Sequence, residues 1–116
     1  MDGHENVAEL LLARKADVNS RDKYGDTPLH LAARMGWAGV AKMLLAHKAM
    51  INDKNDEGDT PLHLAAFEDQ VEMAELLLTS KASVNVRDNI NDTPLNKAEQ
   101  KGNTNMVDLL RKHGGH

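Results

Sequence analysis

The nine residues Gly-Asp-Thr-Pro-Leu-His-Leu-Ala-Ala occupy positions 25–33 and return unchanged at 58–66. The spacing is 33 residues, and Thr-Pro-Leu keeps it a third time, at 27–29, 60–62 and 93–95. Those tripeptides contain all 3 prolines of the chain. The same offset aligns Ala16, Ala49 and Ala82, then Val18, Ile51 and Val84, then Asn19, Asn52 and Asn85. It also aligns Leu10-Leu11-Leu12 with Met43-Leu44-Leu45 and Leu76-Leu77-Leu78. A period of this length marks one supersecondary unit used repeatedly.

The unit can be read physically. Thr27 is a good N-cap, because its hydroxyl accepts a free amide of the first turn. Pro28 at N1 loses no hydrogen bond there. Leu29, Ala32 and Ala33 form an apolar stripe on a short helix that Gly36 ends. A second helix is expected from about Ala38 to His47, with Val40, Met43 and Leu44 on one face. Asn55-Asp56-Glu57-Gly58 is turn chemistry. Two such short helices cannot bury their own apolar faces, so each unit needs a neighbour of its own kind. The Ala-Ala pair lets successive first helices approach closely, and the leucines of the second helices fill the layer behind.

Composition agrees. Apolar residues make up 41 % of the 116 residues but aromatics only 3 %, so the core is aliphatic and helix-forming. A net charge of −4 argues against nucleic acid as a partner. With 0 cysteines, disulfides and thiolate metal sites are excluded. No apolar run approaches the roughly 20 residues that span a membrane, and the first residues lack a signal-peptide pattern. The expectation is a soluble, cytoplasmic protein without membrane contact.

The period of 33 with Asp-x-x-Gly-x-Thr-Pro-Leu-His-Leu-Ala-Ala resembles the ankyrin repeat. Asp22-Lys23-Tyr24-Gly25 opens one match, and Asp56-Glu57-Gly58 lies in the second. The resemblance covers nearly the whole chain. It implies an all-α solenoid of stacked helix-turn-helix units with hairpin loops, about three and a half repeats long. In phase, a single domain 1–116 divides into a half repeat 1–20, repeats 21–53 and 54–86, and a C-terminal capping repeat 87–116. The stack implied is L-shaped, with hairpin tips and first helices lining a concave groove.

The ends depart from the pattern. In the last unit Asn96-Lys97-Ala98-Glu99 replaces His-Leu-Ala-Ala, and Lys97 stands where Leu31 and Leu64 stand. Polar residues on an outer face suit a terminal cap. At the other end Gly3 aligns with Gly36, so the first unit has a second helix, Glu5 to about Arg14, without a first one. Val7, Leu10 and Leu11 are then expected to be partly uncovered. A longer array, a deliberately trimmed engineered chain and a self-associating homodimer face are the alternatives. Lys15, Lys48 and Lys81 occupy a position where ankyrin repeats usually have Gly after the second helix. A left-handed backbone is expected there, at a cost of about 1 kcal/mol for a residue other than Gly.

Catalytic and metal chemistry find no support. His30 and His63 share one repeat position on helices expected about 8–10 Å apart, too far to share one ion. Each ring is expected to bond a neighbouring loop instead. The acidic residues around Gly58 lack the spacing of a calcium loop. No nucleophile has an obvious base and orienter. The chain reads as a non-enzyme with no cofactor and no metal. Asparagines in the Asp-Val-Asn setting of ankyrin repeats can be hydroxylated, and Asn19 matches best. For Asn19, Asn52 and Asn85 alike, tying down the loop is the expected role.

If the frame is constant, binding information lies where the units differ. The hairpin tips contribute Lys23, Tyr24 and Asp26, then Asp56, Glu57 and Asp59, then Asn89, Ile90 and Asp92. The ends of the first helices contribute Arg34 and Met35, then Phe67 and Glu68. Tyr24, Trp37 and Phe67 are the only aromatics, and none falls on the leucine-alanine core pattern. With Met35, Met50 and Ile90 they enrich the surface in the residue types that interface centres prefer. By resemblance these positions face the groove and meet a protein partner, and the same pattern suits an engineered binder. The rival expectation is a structural, self-assembling array that pairs through its N-terminal face.

Overall fold

The computed structural model describes residues 18–116. The expected helix from Glu5 to Arg14, its apolar Val7, Leu10 and Leu11, the left-handed Lys15 and the N-terminal pairing face lie outside the described residues.

Six helices follow one another: α1 Pro28–Met35, α2 Ala38–Ala46, α3 Pro61–Phe67, α4 Val71–Thr79, α5 Pro94–Lys101 and α6 Thr104–Lys112. No strand occurs among the described residues. Each first helix (α1, α3, α5) starts in the same way. The Thr27, Thr60 and Thr93 hydroxyls accept from the N3 backbone amide, and the N3 side chain returns a bond to the cap's own amide. Such capping boxes satisfy donors that a helix start otherwise leaves open. The N3 residue is His30, His63 or Asn96, so two imidazole rings and one amide perform one task.

Packing is between like elements. α1 lies against α3 and α3 against α5, while α2, α4 and α6 form a second row behind them. The first-helix row is the closer-packed, as expected from Ala32, Ala33, Ala65, Ala66 and Ala98, all fully buried. Leu29, Leu62 and Leu95, with Leu44, Leu77 and Leu110 from the second row, fill one continuous core.

Left-handed residues recur in phase. Gly36, Asp69 and Gly102 carry φ of 74°, 57° and 69° at the turn between helices. Lys48, Lys81 and Gly114 carry 71°, 74° and 88° after the second helix. The expectation for Lys48 and Lys81 therefore holds: the backbone geometry is kept although the glycine is gone.

The next unit closes each helix end. Gln70 Nε2 donates to the Arg34 carbonyl (3.1 Å), and Asn103 Nδ2 to the Ala66 carbonyl (3.1 Å). Last-turn carbonyls of α1 and α3, which lack a partner within the helix ladder, thus gain a donor across the repeat boundary. The asparagines of the long loops work similarly. Asn19 Oδ1 accepts from the Met50 amide (2.8 Å) and Asn52 Oδ1 from the Ser83 amide (2.9 Å). Asn85 Oδ1 accepts from the His116 amide (2.9 Å). The loop-tying role is the one the structure displays.

Candidate functional site

The hairpin tips stand in register above the first-helix row. The Asp56 amide donates to the Tyr24 carbonyl (3.1 Å), and the Asn89 amide to the Glu57 carbonyl (3.0 Å). Each tip is therefore hydrogen-bonded to the next. Below them run two hollows of about 390 and 250 Å³. Tyr24, Asp26, Asn55 and Asp56 line the first; Asp59, His63, Leu64, Phe67, Glu68 and Lys97 line the second. Arg34 and Glu57 line both, so the two hollows adjoin.

Large apolar groups edge this groove and the adjoining surface. Tyr24 is 61 % exposed, Met35 53 %, Leu31 40 % and Phe67 37 %. The Lys23 ammonium lies 5.1 Å from the centre of the Tyr24 ring, and the Lys101 ammonium 4.7 Å from that of Phe67. Both distances suit a cation–π contact, which holds each ring in the open. Lys23, Asp56, Glu57, Glu68, Asn89 and Ile90 are also exposed, as expected of tip and helix-end residues. The Asn89 side chain is already engaged, its Nδ2 donating to the Asp56 carbonyl at 2.9 Å.

Four expected contact residues differ in placement. Asp26 and Asp59 do not project from the tips: both are buried beneath them. Asp26 accepts from Asn55 Nδ2 (2.8 Å) and pairs with Arg34 (3.4 Å). Asp92 is half-buried and holds Gln100 Nε2 (2.9 Å) and Lys97 (3.4 Å). Trp37 is partly buried and packs against the core at the inter-helix turn, where it is the N-cap residue of α2. Ring size alone did not show that this position faces inward.

Sequence reasoning missed others. Leu31 belongs to the repeated frame, yet it is exposed at the surface of α1, whereas the in-phase Leu64 on α3 is buried. Lys97 was expected on an outer face. Instead its ammonium reaches Asp88 at 2.9 Å and lines the groove floor. The signal was present in the in-phase change from Leu31 and Leu64 to Lys97, together with Asn55 becoming Asp88.

The buried histidines carry out the expected loop bonds. His30 Nε2 donates to the Asp59 carbonyl (2.8 Å) and His63 Nε2 to the Asp92 carbonyl (2.8 Å). In each ring Nδ1 accepts from the N-cap amide, of Thr27 or Thr60, at 3.0 Å. Asp59, His63 and Asp88 bring ligand-type atoms within 4.8 Å of one another. Both His63 nitrogens are committed, however, and the Lys97 ammonium already holds Asp88, so this group does not offer a metal three ligands.

Burial lowers the pKa of both histidines below 6.5, against the opposing hydrogen bonds to the Asp59 and Asp92 carbonyls. A lowered histidine pKa gives stability that is complete above the unfolded value and is lost as pH falls below it. The double variant His30→Asn, His63→Asn keeps the capping role that Asn96 already performs, but loses two loop bonds. It should be less stable at pH 7.5 by about 1 kcal/mol per bond. Its deficit in urea unfolding should shrink at pH 5, where the wild-type rings pay for being neutral. A deficit equal at both pH values would show that the rings titrate normally.

A family model described as ankyrin repeats (3 copies) matches residues 1–88. A search of curated proteins finds no significant match.

Proposed function

The chain belongs to the ankyrin repeat family, and on that premise we propose that it is a binding module whose hairpin tips and first-helix surface grip a protein partner. Ankyrin repeats are generally protein–protein interaction modules on a non-enzymatic fold. The observation that carries the reading here is the pair of adjoining hollows beneath bonded tips, lined by Tyr24 and Phe67, with Leu31 and Met35 of α1 exposed as well. The core beneath is filled by buried alanines, leucines and methionines, and these exposed apolar groups are not part of it. One domain of repeats 21–53, 54–86 and 87–116 presents this surface. A regular frame with apolar variable positions is also what an engineered binder carries. No helix among the described residues is long and apolar enough to cross a membrane.

Replacing Tyr24, Met35 and Phe67 together by Ala should weaken a partner by at least about tenfold, since exposed aromatic anchors carry most of an interface's energy. The helical circular dichroism should not change. A photo-crosslinking residue at position 67 should capture the same partner, while one at Lys42 on the second-helix row should not. Unchanged affinity in the triple variant overturns the site.

A further inference from the structure

The two junctions between described hairpins share a main-chain bond from tip to tip and differ in the side-chain pair beneath it. At the first, Asn55 Oδ1 accepts from the Glu57 and Asp59 amides (3.0 and 2.9 Å), while Asn55 Nδ2 donates to Asp26 Oδ1 (2.8 Å). Shifted by 33 residues, Asn55 becomes Asp88 and Asp26 becomes Asp59. Asp88 Oδ1 accepts from the Ile90 and Asp92 amides (3.1 and 2.9 Å), as Asn55 Oδ1 does in its turn. Its second oxygen stands where the Asn55 amide stood. Asp59, only 6 % exposed, consequently has Oδ1 buried without a donor. Two carboxyl groups now meet where an amide met a carboxylate.

The surrounding charges do not resolve this. From the last hairpin and α5, Asp88, Asp92 and Lys97 face Asp59. Lys97 is the near cation, but it holds Asp88 at 2.9 Å and Asp92 at 3.4 Å. Glu57 of the same hairpin, and Glu68 at the end of α3, add negative charge along the shared hollow. Arg34 of α1 lines it too, but pairs with Asp26. His63 is neutral, its two nitrogens committed as described. One ammonium thus faces three carboxyl groups, and two buried carboxylates in contact cannot both ionise cheaply.

We propose that Asp59 and Asp88 form a proton-binding site at this junction, where one proton shared between them replaces the missing amide and fastens the last repeat to the stack. The proton comes from solvent, resides on Asp59 and is donated to the Asp88 carboxylate. The electrostatics agree. Burial, then the Asp88 carboxyl, pushes Asp59 up to about 7. Burial also disfavours ionised Asp88, yet hydrogen bonding by Asp59, the Asp92 amide and Lys97 keeps its carboxyl below the usual carboxylate range. The sign follows from the raised Asp59. Between about pH 4, the unfolded value, and about pH 7 the folded chain holds a proton that the unfolded chain has released. Stability from this site therefore falls as pH rises through that window, by up to about tenfold in the folding constant per pH unit. This is opposite in sign to the histidine contribution.

The test is a carbon-13 carboxyl titration of the full wild-type chain, followed by urea unfolding of Asp59→Asn at pH 5.5 and 8.5. The Asp59 carboxyl should titrate near neutral pH, with Asp88 still ionised at pH 5. Asparagine at 59 supplies the donor permanently, so Asp59→Asn should be more stable than wild type at pH 8.5 and lose that advantage at pH 5.5. An Asp59 midpoint in the ordinary carboxylate range overturns the proposal, as does an Asp59→Asn effect that is the same at both pH values. Millimolar calcium or magnesium that stabilises wild type but not Asp59→Asn at pH 8.5 would assign the pair to a cation, and would also overturn it. None of these readouts depends on a partner, so the groove assignment can fail independently.

Discussion

Leu77→Ala should lower the unfolding free energy by about 2–5 kcal/mol, the range for deleting a fully buried leucine. Leu77 is 0 % exposed on α4, the middle helix of the second row, and belongs to the one continuous core. Its loss leaves a cavity in the core around α4, which packs on α2, α3 and α6. Those neighbours are pinned by their own repeats and cannot collapse into it. A domain of this size has about 5–15 kcal/mol in all, so the variant should unfold at much lower urea with a similar slope. Leu31→Ala is the control. That leucine is equally part of the repeated nine residues but lies at the surface, and its replacement should change stability by only about 0.5 kcal/mol. Equal losses at the two sites would mean that the core assignment is mistaken.

Gly58→Ala should cost more than the strain of its backbone alone. Gly58 has φ of 80°, a left-handed conformation that costs an L-residue about 1–2 kcal/mol. An added Cβ would also stand 2.8 Å from the Asn89 amide nitrogen. That amide donates to the Glu57 carbonyl, so the intruding methyl would push apart the bond between successive tips. A loss of at least about 2 kcal/mol is expected. Gly102→Ala isolates the first term, since Gly102 has φ of 69° and its Cβ would meet nothing within 4 Å. The difference between the two variants in urea unfolding measures the contact term. The last unit supplies a natural comparison: Asn91, in phase with Gly25 and Gly58, takes φ of 69° where no further described hairpin follows.

The proton site and the groove were legible to different depths. The lettering of the period shows Lys97 and Asp88 as departures from their in-phase partners, but not that they touch. Contact across the junction joins residues 29 positions apart in sequence, Asp59 and Asp88, and only the stacked hairpins bring them together. The groove was anticipated from variable positions, and Tyr24, Met35 and Phe67 do lie exposed. Asp26 and Asp59 are unchanged between units and join that group only by their place in the hairpin, and Trp37 by its ring; neither place nor size says whether a side chain faces a partner or a neighbouring repeat. Burial separates the two cases, and burial is a property of the stack.

The sequence by itself determined the period, the helix starts and the stops. Thr-Pro caps, the alanine and leucine stripes and the left-handed positions act over a few residues, so local chemistry is enough to read them. Even the departures at Lys48 and Lys81 were readable, because the unit's geometry dictates the backbone whichever residue occupies it. Tertiary structure alone decided which equal-looking residues are buried, where Leu31 and Leu64 part, and what a single Asn-to-Asp change does between hairpins. The reason is that those outcomes depend on the neighbour a repeat receives, and a repeat's own letters do not contain its neighbour.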